Sequence, residues 1–376
     1  MKLTAEHTYR LSTKQCTDLI ASVGHQRTVI LEGAMGIGKS SIGAEFAKHP
    51  KTKDHVYINF DCTNKDIQDL SAPQFEQKVA DEICAKVRFV PNAEMGVHLG
   101  VKVIIDFDEF KKAPPPVQRA IRGFMLIRTI CGITLPEGSI IYGSSNLGAE
   151  GLGDVLLPHQ RNAVITVRMR KPTNMEWITD FGINKGCHHT VLGWVKDTPA
   201  LGQEHDEVSN WEDNQLNFHP QNPNQKAFCT WRSVHAASDL VHSCLTREEI
   251  DRHTLTASLI GTIGVEGAMQ LSTHIDMDGQ MPSQQSIVDD PLNALVPSSV
   301  SAMCMVVSRA LTSMNYSLVS PFMKYIQRPE MNPAAVSYFI QGARNRNYSH
   351  TNVVVTNADF TRYLRENESL FDADVK

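Results

Sequence analysis

Two stretches carry residue types and spacings that could do chemistry together. In "GAMGIGKSS", Gly33, Gly38, Lys39 and Ser40 fit G-x-x-x-x-G-K-[ST] between a β-branched run and a helical stretch. The glycines let the backbone fold close around phosphate oxygens, so that Gly33, Ala34, Met35, Gly36, Ile37, Gly38, Lys39, Ser40 and Ser41 form a cradle at the start of a helix beginning at Lys39. In such a loop Lys39 reaches the β- and γ-phosphates of ATP and the Ser40 hydroxyl takes one position on Mg²⁺. The second stretch, "VIIDFDEF", is an apolar strand that ends on Asp106, Asp108 and Glu109. An unpaired buried carboxylate costs on the order of 2–7 kcal/mol or more. These acids therefore need positive charge, which Mg²⁺ and a water on the nucleotide would supply. Strand alternation puts Asp106 and Asp108 on one face and Glu109 just past the end. Asp108 is assigned to the metal and Glu109 to the attacking water as general base. Asp106 has two readings: a metal role, or a carboxylate paired with a backbone N–H or a neighbouring basic residue.

The elements that must hold these residues are legible as a texture. From Thr28 to about Arg170, "TVILEG", "HVYINF", "VKVIID", "SIIYGS" and "AVITVRM" alternate with helical stretches, the pattern of an α/β fold with a parallel sheet and helices on its faces. After Pro172 the periods are helical, and no convincing strand appears until "TNVVVT" at Thr351. The expected organisation is a lead-in helix over 1–27 with its cap near Ser12, a nucleotide-binding core over 28–172, and an all-helical region over 173–376. Within the last, 199–227 is rich in Asn, Gln and Pro and reads as a mobile loop or an insertion. With 376 residues, 41% hydrophobic and 20% charged, the chain can bury a large core, and a net charge of -5 gives no global pull toward polyanions. The N-terminus has no apolar core of signal-peptide length and no stretch approaches a membrane span, so a cytoplasmic location is expected. The eight cysteines form no C-x-x-C pair, which excludes a zinc knuckle and a disulfide framework and leaves reduced thiols. Cys187-His188-His189 invites a metal reading, but three adjacent residues cannot all converge on one ion and no spaced partner is visible; a turn is expected.

"DEFKKAPPPVQRAI" resembles the segment after the second nucleotide motif of MoxR-type AAA+ ATPases, with Asp108, Glu109, Ala113, Pro114, Pro115, Val117 and Gln118 in register. The likeness runs from about Thr28 to Leu240, and "GTIGVEGAMQL" and "DDPLNALVP" are more weakly similar to phage-type members. It implies an AAA+ αβα core followed by a helical lid, with Asn146 as the sensor-1 residue on the lytic water or γ-phosphate and Arg232 as the sensor-2 arginine on γ-phosphate charge. In the family an arginine just before the last strand reaches a neighbouring subunit's ATP. Here that position is Ala163 and the nearby arginine is Arg161, so Arg161 substitutes as the finger, or the chain is a natural slow or switch-like ATPase, or the sequence carries a substitution that traps the bound state. The resemblance further implies a homo-oligomer, a hexameric ring, that hydrolyses ATP with Mg²⁺ to remodel a protein client through an adaptor. A different class is a nucleotide-gated DNA-binding oligomer of a phage, for replication, recombination or transposition. Its footing is the short basic clusters at Lys111-Lys112, Arg119 with Arg122, Arg168 with Arg170 and Lys171, and Arg344 with Arg346, which read better as solvated faces. A GTPase is disfavoured, because Asn64-Lys65 lacks the spaced Asp that reads guanine.

Overall fold

A computed structural model describes residues 9–77, 85–147, 162–222 and 224–367. The chain divides into two compact units, Met1–Lys171 and Pro172–Lys376.

In the first unit α1 (Thr13–Val23) begins with a capping box, Ser12 and Gln15 satisfying each other's backbone N–H. The main sheet is built from β1 (Val29–Glu32), β2 (Val56–Asp61), β5 (Val103–Asp108), β8 (Ile140–Ser145) and β9 (Ile165–Arg168). Its order is β2-β5-β8-β1-β9, and every neighbouring pair is parallel. Between β2 and β5 lies an antiparallel hairpin of β3 (Ser71–Gln77) and β4 (Ala85–Pro91). A smaller one, β6 (Thr129–Ile130) with β7 (Ile133–Thr134), precedes β8.

Both faces of the sheet are covered, which is why its strands read as near-continuous apolar runs. On one face Ile30, Ile105, Phe107 and Ile141 pack with Val117, Ile121, Phe124 and Met125 of α3 (Pro115–Ile127). On the other, Val29, Leu31, Ile104 and Tyr142 pack with Cys16 and Ile20 of α1 and with Ile42 and Phe46 of α2 (Ile42–Phe46). Period-two alternation along β1 thus sends adjacent residues into two different cores. Both cores grip the strand that leads into the glycine-rich loop.

The second unit is helical: α4 (Asn174–Trp177), α5 (His189–Asp197), α6 (Trp231–Val241), α7 (Arg252–Met277), α8 (Gln284–Asp289), α9 (Val300–Thr312), α10 (Tyr316–Ile326), α11 (Pro333–Arg344), α12 (Thr351–Val355) and α13 (Ala358–Glu366). They share one large core that includes Trp194, Phe322, Tyr325 and Phe339. Helix α7 is broken at Gly264, whose φ of 79° and ψ of 169° leave the helical region. A Cβ there would meet the Ala227 carbonyl oxygen at 2.8 Å, so both the backbone and the close approach require glycine.

Two expectations are corrected here. "TNVVVT" is helix α12 and not a strand, with Val354 buried. Its β-branched run has no open sheet edge in a helical unit, and the backbone satisfies its own hydrogen bonds by coiling. The polar stretch 199–227 is not an open loop. Asn214 donates to the Ala200 carbonyl (2.9 Å) and the Gln203 side-chain oxygen (2.9 Å), Asn217 to the carbonyls of Ala200 (2.7 Å) and Gln203 (3.0 Å), and Leu201 and Leu216 are buried between. The asparagines that suggested a mobile loop or an insertion tie the stretch to itself. Among the described residues no helix is long and apolar enough to cross a membrane.

Candidate nucleotide site

The loop leaves β1 at Gly33 and turns at Gly36 (φ 67°) and Gly38 (φ 100°), conformations that cost a residue with a Cβ. A Cβ on Gly33 would stand 2.6 Å from Ile37 Cδ1 and 3.1 Å from the Met169 carbonyl oxygen. The expected helix from Lys39 begins as a single 3₁₀ turn, Lys39–Ser41, before α2. Ser41 Oγ closes the turn on the Gly38 carbonyl (2.6 Å).

Lys39 is buried, and its ammonium donates to the carbonyls of Gly33 (2.8 Å) and Ala34 (2.9 Å) and to Asn146 Oδ1 (2.6 Å). Asn146, the residue after β8, donates through Nδ2 to Glu109 Oε1 (2.8 Å). Glu109 Oε2 lies 3.1 Å from Lys112 Nζ. One polar chain therefore runs from the phosphate loop through the strand-end asparagine to the carboxylate after β5. Glu109 has a φ of 53°, rare for a residue with a side chain. Such strain persists where the surroundings over-determine the conformation, and it clusters at functional sites.

Asp108 accepts from Ser144 Oγ (2.5 Å) and from the Glu109 backbone N–H (3.0 Å), and its other oxygen faces Ser40 Oγ at 3.4 Å. A hydroxyl and a carboxylate side by side are the hard oxygen donors that suit Mg²⁺. The predicted metal residues, Ser40 and Asp108, are thus brought together.

Asp106 fits neither reading made of it. It is fully buried, and its Oδ2 accepts from the hydroxyls of Tyr57 (3.1 Å) and Tyr142 (2.9 Å), while Oδ1 has no partner. Burial, with the charge of Asp108 adding to it, pushes its carboxyl up to about 7 against the pull of those hydroxyls. A neutral acid can live at this depth without a cation.

Sequence reasoning also missed the supports. Lys111 forms an ion pair with Glu32 at the end of β1, and the buried Gln118 amide donates to the carbonyls of Lys111 (3.1 Å) and Ala113 (2.9 Å), which pins the "DEFKKA" turn to α3. Adjacent Ser144 and Ser145 ahead of Asn146 were the available signal for a polar strand end. Arg161 lies outside the described residues, and Ala163 sits in the half-buried turn before β9. Arg232 is exposed in the first turn of α6, in the second unit, behind the Thr230–Ser233 capping box.

No family model matches the chain, and no curated protein does. Among solved structures it is similar to a mutant of Thermotoga maritima RuvB (11% identity, TM-score 0.36, covering 88% of this chain and 98% of that one). It is similar to Brucella abortus NtrX in complex with ADP (13%, TM-score 0.35, 74% and 60%) and to Hsp104 with ATPγS and casein (16%, TM-score 0.31, 42% of this chain). The chain spans about a third of the Hsp104 chain, 32%. These are likenesses of chain path, and no residue role is taken from them. On its own strand order, with the glycine-rich loop after β1 and a helical unit following in sequence, the chain has the α/β architecture expected of a P-loop core followed by a helical domain.

Proposed function

We propose that this protein is an ATP-hydrolysing AAA+ machine of the MoxR type, similar to phage members, which assembles as a ring and remodels a protein client. The observation that carries the reading is the chain Lys39–Asn146–Glu109, which couples the phosphate loop to the acid after β5. Incoming phosphate oxygens compete with the Gly33 and Ala34 carbonyls and Asn146 for the Lys39 ammonium. Asn146 is then released to orient a water, and Glu109 accepts that water's proton as it attacks. Ser40 and Asp108 would hold Mg²⁺, which neutralises charge on the phosphates when bound. The roles of Arg232 and of Arg161 as finger remain part of the proposal.

A protein client is favoured by the β3/β4 hairpin. Phe75, Val87 and Phe89 are more than half exposed, and Phe75 and Val87 stand opposite each other in its ladder. A contiguous apolar strip on a hairpin marks a contact for protein. The DNA reading gains no such support, since Lys111 and Lys112 are paired with Glu32 and Glu109.

Lys39→Ala is expected to abolish ATP binding by calorimetry, and Glu109→Gln to keep ATP bound while turnover falls by two orders of magnitude or more, about the contribution of general-base catalysis. Full hydrolysis by Glu109→Gln would remove the base assignment, and unchanged ATP affinity in Lys39→Ala would remove the loop.

A further inference from the structure

We propose that His188, His189 and Asp278 form a binding site for a divalent transition-metal ion, Zn²⁺, within the helical unit. The sequence hides this site, because the third ligand stands 89 residues from the second. His188 is the N-cap of α5 and His189 its first residue, while Asp278 immediately follows α7. The packing of α5 on α7 brings one ligand atom from each of the three to within 4.8 Å of the others.

Three features bear on a shared ion. His189 Nε2 and Asp278 Oδ1 are 2.6 Å apart, and His188 caps α5 through Nδ1, which leaves Nε2 as its nitrogen outside the cap. The His188 ring stacks on that of His189 with centroids 4.2 Å apart and planes at 28°, so one ring must turn out of the stack before both lone pairs meet one ion. His188 Nδ1 lies 2.8 Å from the Thr190 hydroxyl and 3.3 Å from the Thr190 backbone nitrogen; with Nδ1 donating to that hydroxyl, the outer hydrogen bond of a ligating histidine, Nε2 is the lone pair left for the ion.

His242 packs edge-on to His188, yet its nitrogens face the Gly186 carbonyl (3.0 Å) and the Thr246 hydroxyl (3.2 Å), which puts it outside the set. Ligand atoms on one zinc stand roughly 3 Å apart, given bonds of about 2.0–2.2 Å. Reaching this separation requires a ring to turn out of the stack, with water completing a tetrahedron. Two imidazoles select zinc and its neighbours over Mg²⁺ or Ca²⁺. Such an ion would tie the start of α5 to the end of α7.

The test uses the untagged full chain, stripped by chelator and titrated with Zn²⁺ alone, with Mg²⁺ as comparison. One zinc per chain is expected, with affinity lowered roughly tenfold or more in His189→Gln and in Asp278→Asn. His274→Gln is the control and should bind as the parent does, because that ring, on α7, pairs with Asp197 at the end of α5 (3.2 Å). Circular dichroism checks that each variant is folded. Should a variant unfold, Co²⁺ added to the parent chain decides: a protein-dependent visible band of tetrahedral type supports the site. Absence of saturable Zn²⁺ binding, absence of that band, or zinc affinity unchanged in both folded variants would overturn it.

Discussion

Asp106 shows at the scale of a single residue how the site stores charge. Its carboxyl is raised to about 7 in the folded chain, against an ordinary value near 4 when unfolded. Between those values the native state holds a proton that the unfolded state has lost, so stability falls as pH rises through the window and levels off above about 7. Asp106→Asn removes the titrating group and keeps acceptance from Tyr57 and Tyr142. Denaturant unfolding from pH 4 to 8 should therefore show a flatter profile in the variant, with a gain of a few kcal/mol at the alkaline end; a parallel profile would mean that Asp106 is not the titrating group. The loop itself was legible in the sequence, because its residues are consecutive from Gly33 to Ser41. The neighbours of Asp106 were not, because Tyr57 and Tyr142 come from strands 49 and 36 residues away, and only the sheet register sets them around it.

Two glycines of α7, three residues apart, should respond in opposite directions. Gly264 has positive φ and sits against the Ala227 carbonyl, so Gly264→Ala adds strain and a clash and should cost about 1–3 kcal/mol in thermal or denaturant unfolding. Gly261 is within the helix with nothing near its missing Cβ, and Gly261→Ala should stabilise by about 0.5–1 kcal/mol. Equal effects would mean that the break at Gly264 is not part of the fold. Element identity was readable where pattern and partner agree: the β1 and β5 runs are apolar because both faces of the sheet are covered. It failed at Thr351–Val355, where β-branched propensity spoke for a strand but the unit offers only helices to pack against. At Asn214 and Asn217 the side-chain bonds to Ala200 and Gln203 add to the backbone bridge of Asn217 with Cys229, and composition alone cannot reveal either.

At the scale of the whole molecule, the proposed ring makes catalysis a function of concentration. If ATP is shared between subunits, activity per chain should fall on dilution, and Ala163→Arg should raise turnover tenfold or more with little change in ATP affinity, since a finger acts on charge developing in the transition state. Arg161→Ala is the counterpart, silencing turnover where Arg161 already serves. Flat specific activity on dilution together with indifference to both substitutions would leave a nucleotide site complete within one chain. The strand order has a further consequence, for the order of synthesis. Strand β1 hydrogen-bonds to β8 and β9, both made long after it, with Val29 opposite Tyr142 on one side and Ile165 on the other. Local pairings form early in a growing chain, while distant ones wait for the chain to be made. The phosphate loop is therefore encoded near the start but acquires its rigid footing late, when Arg168 has left the ribosome. A nascent chain arrested before that point should ignore ATP, and one arrested well beyond it should bind.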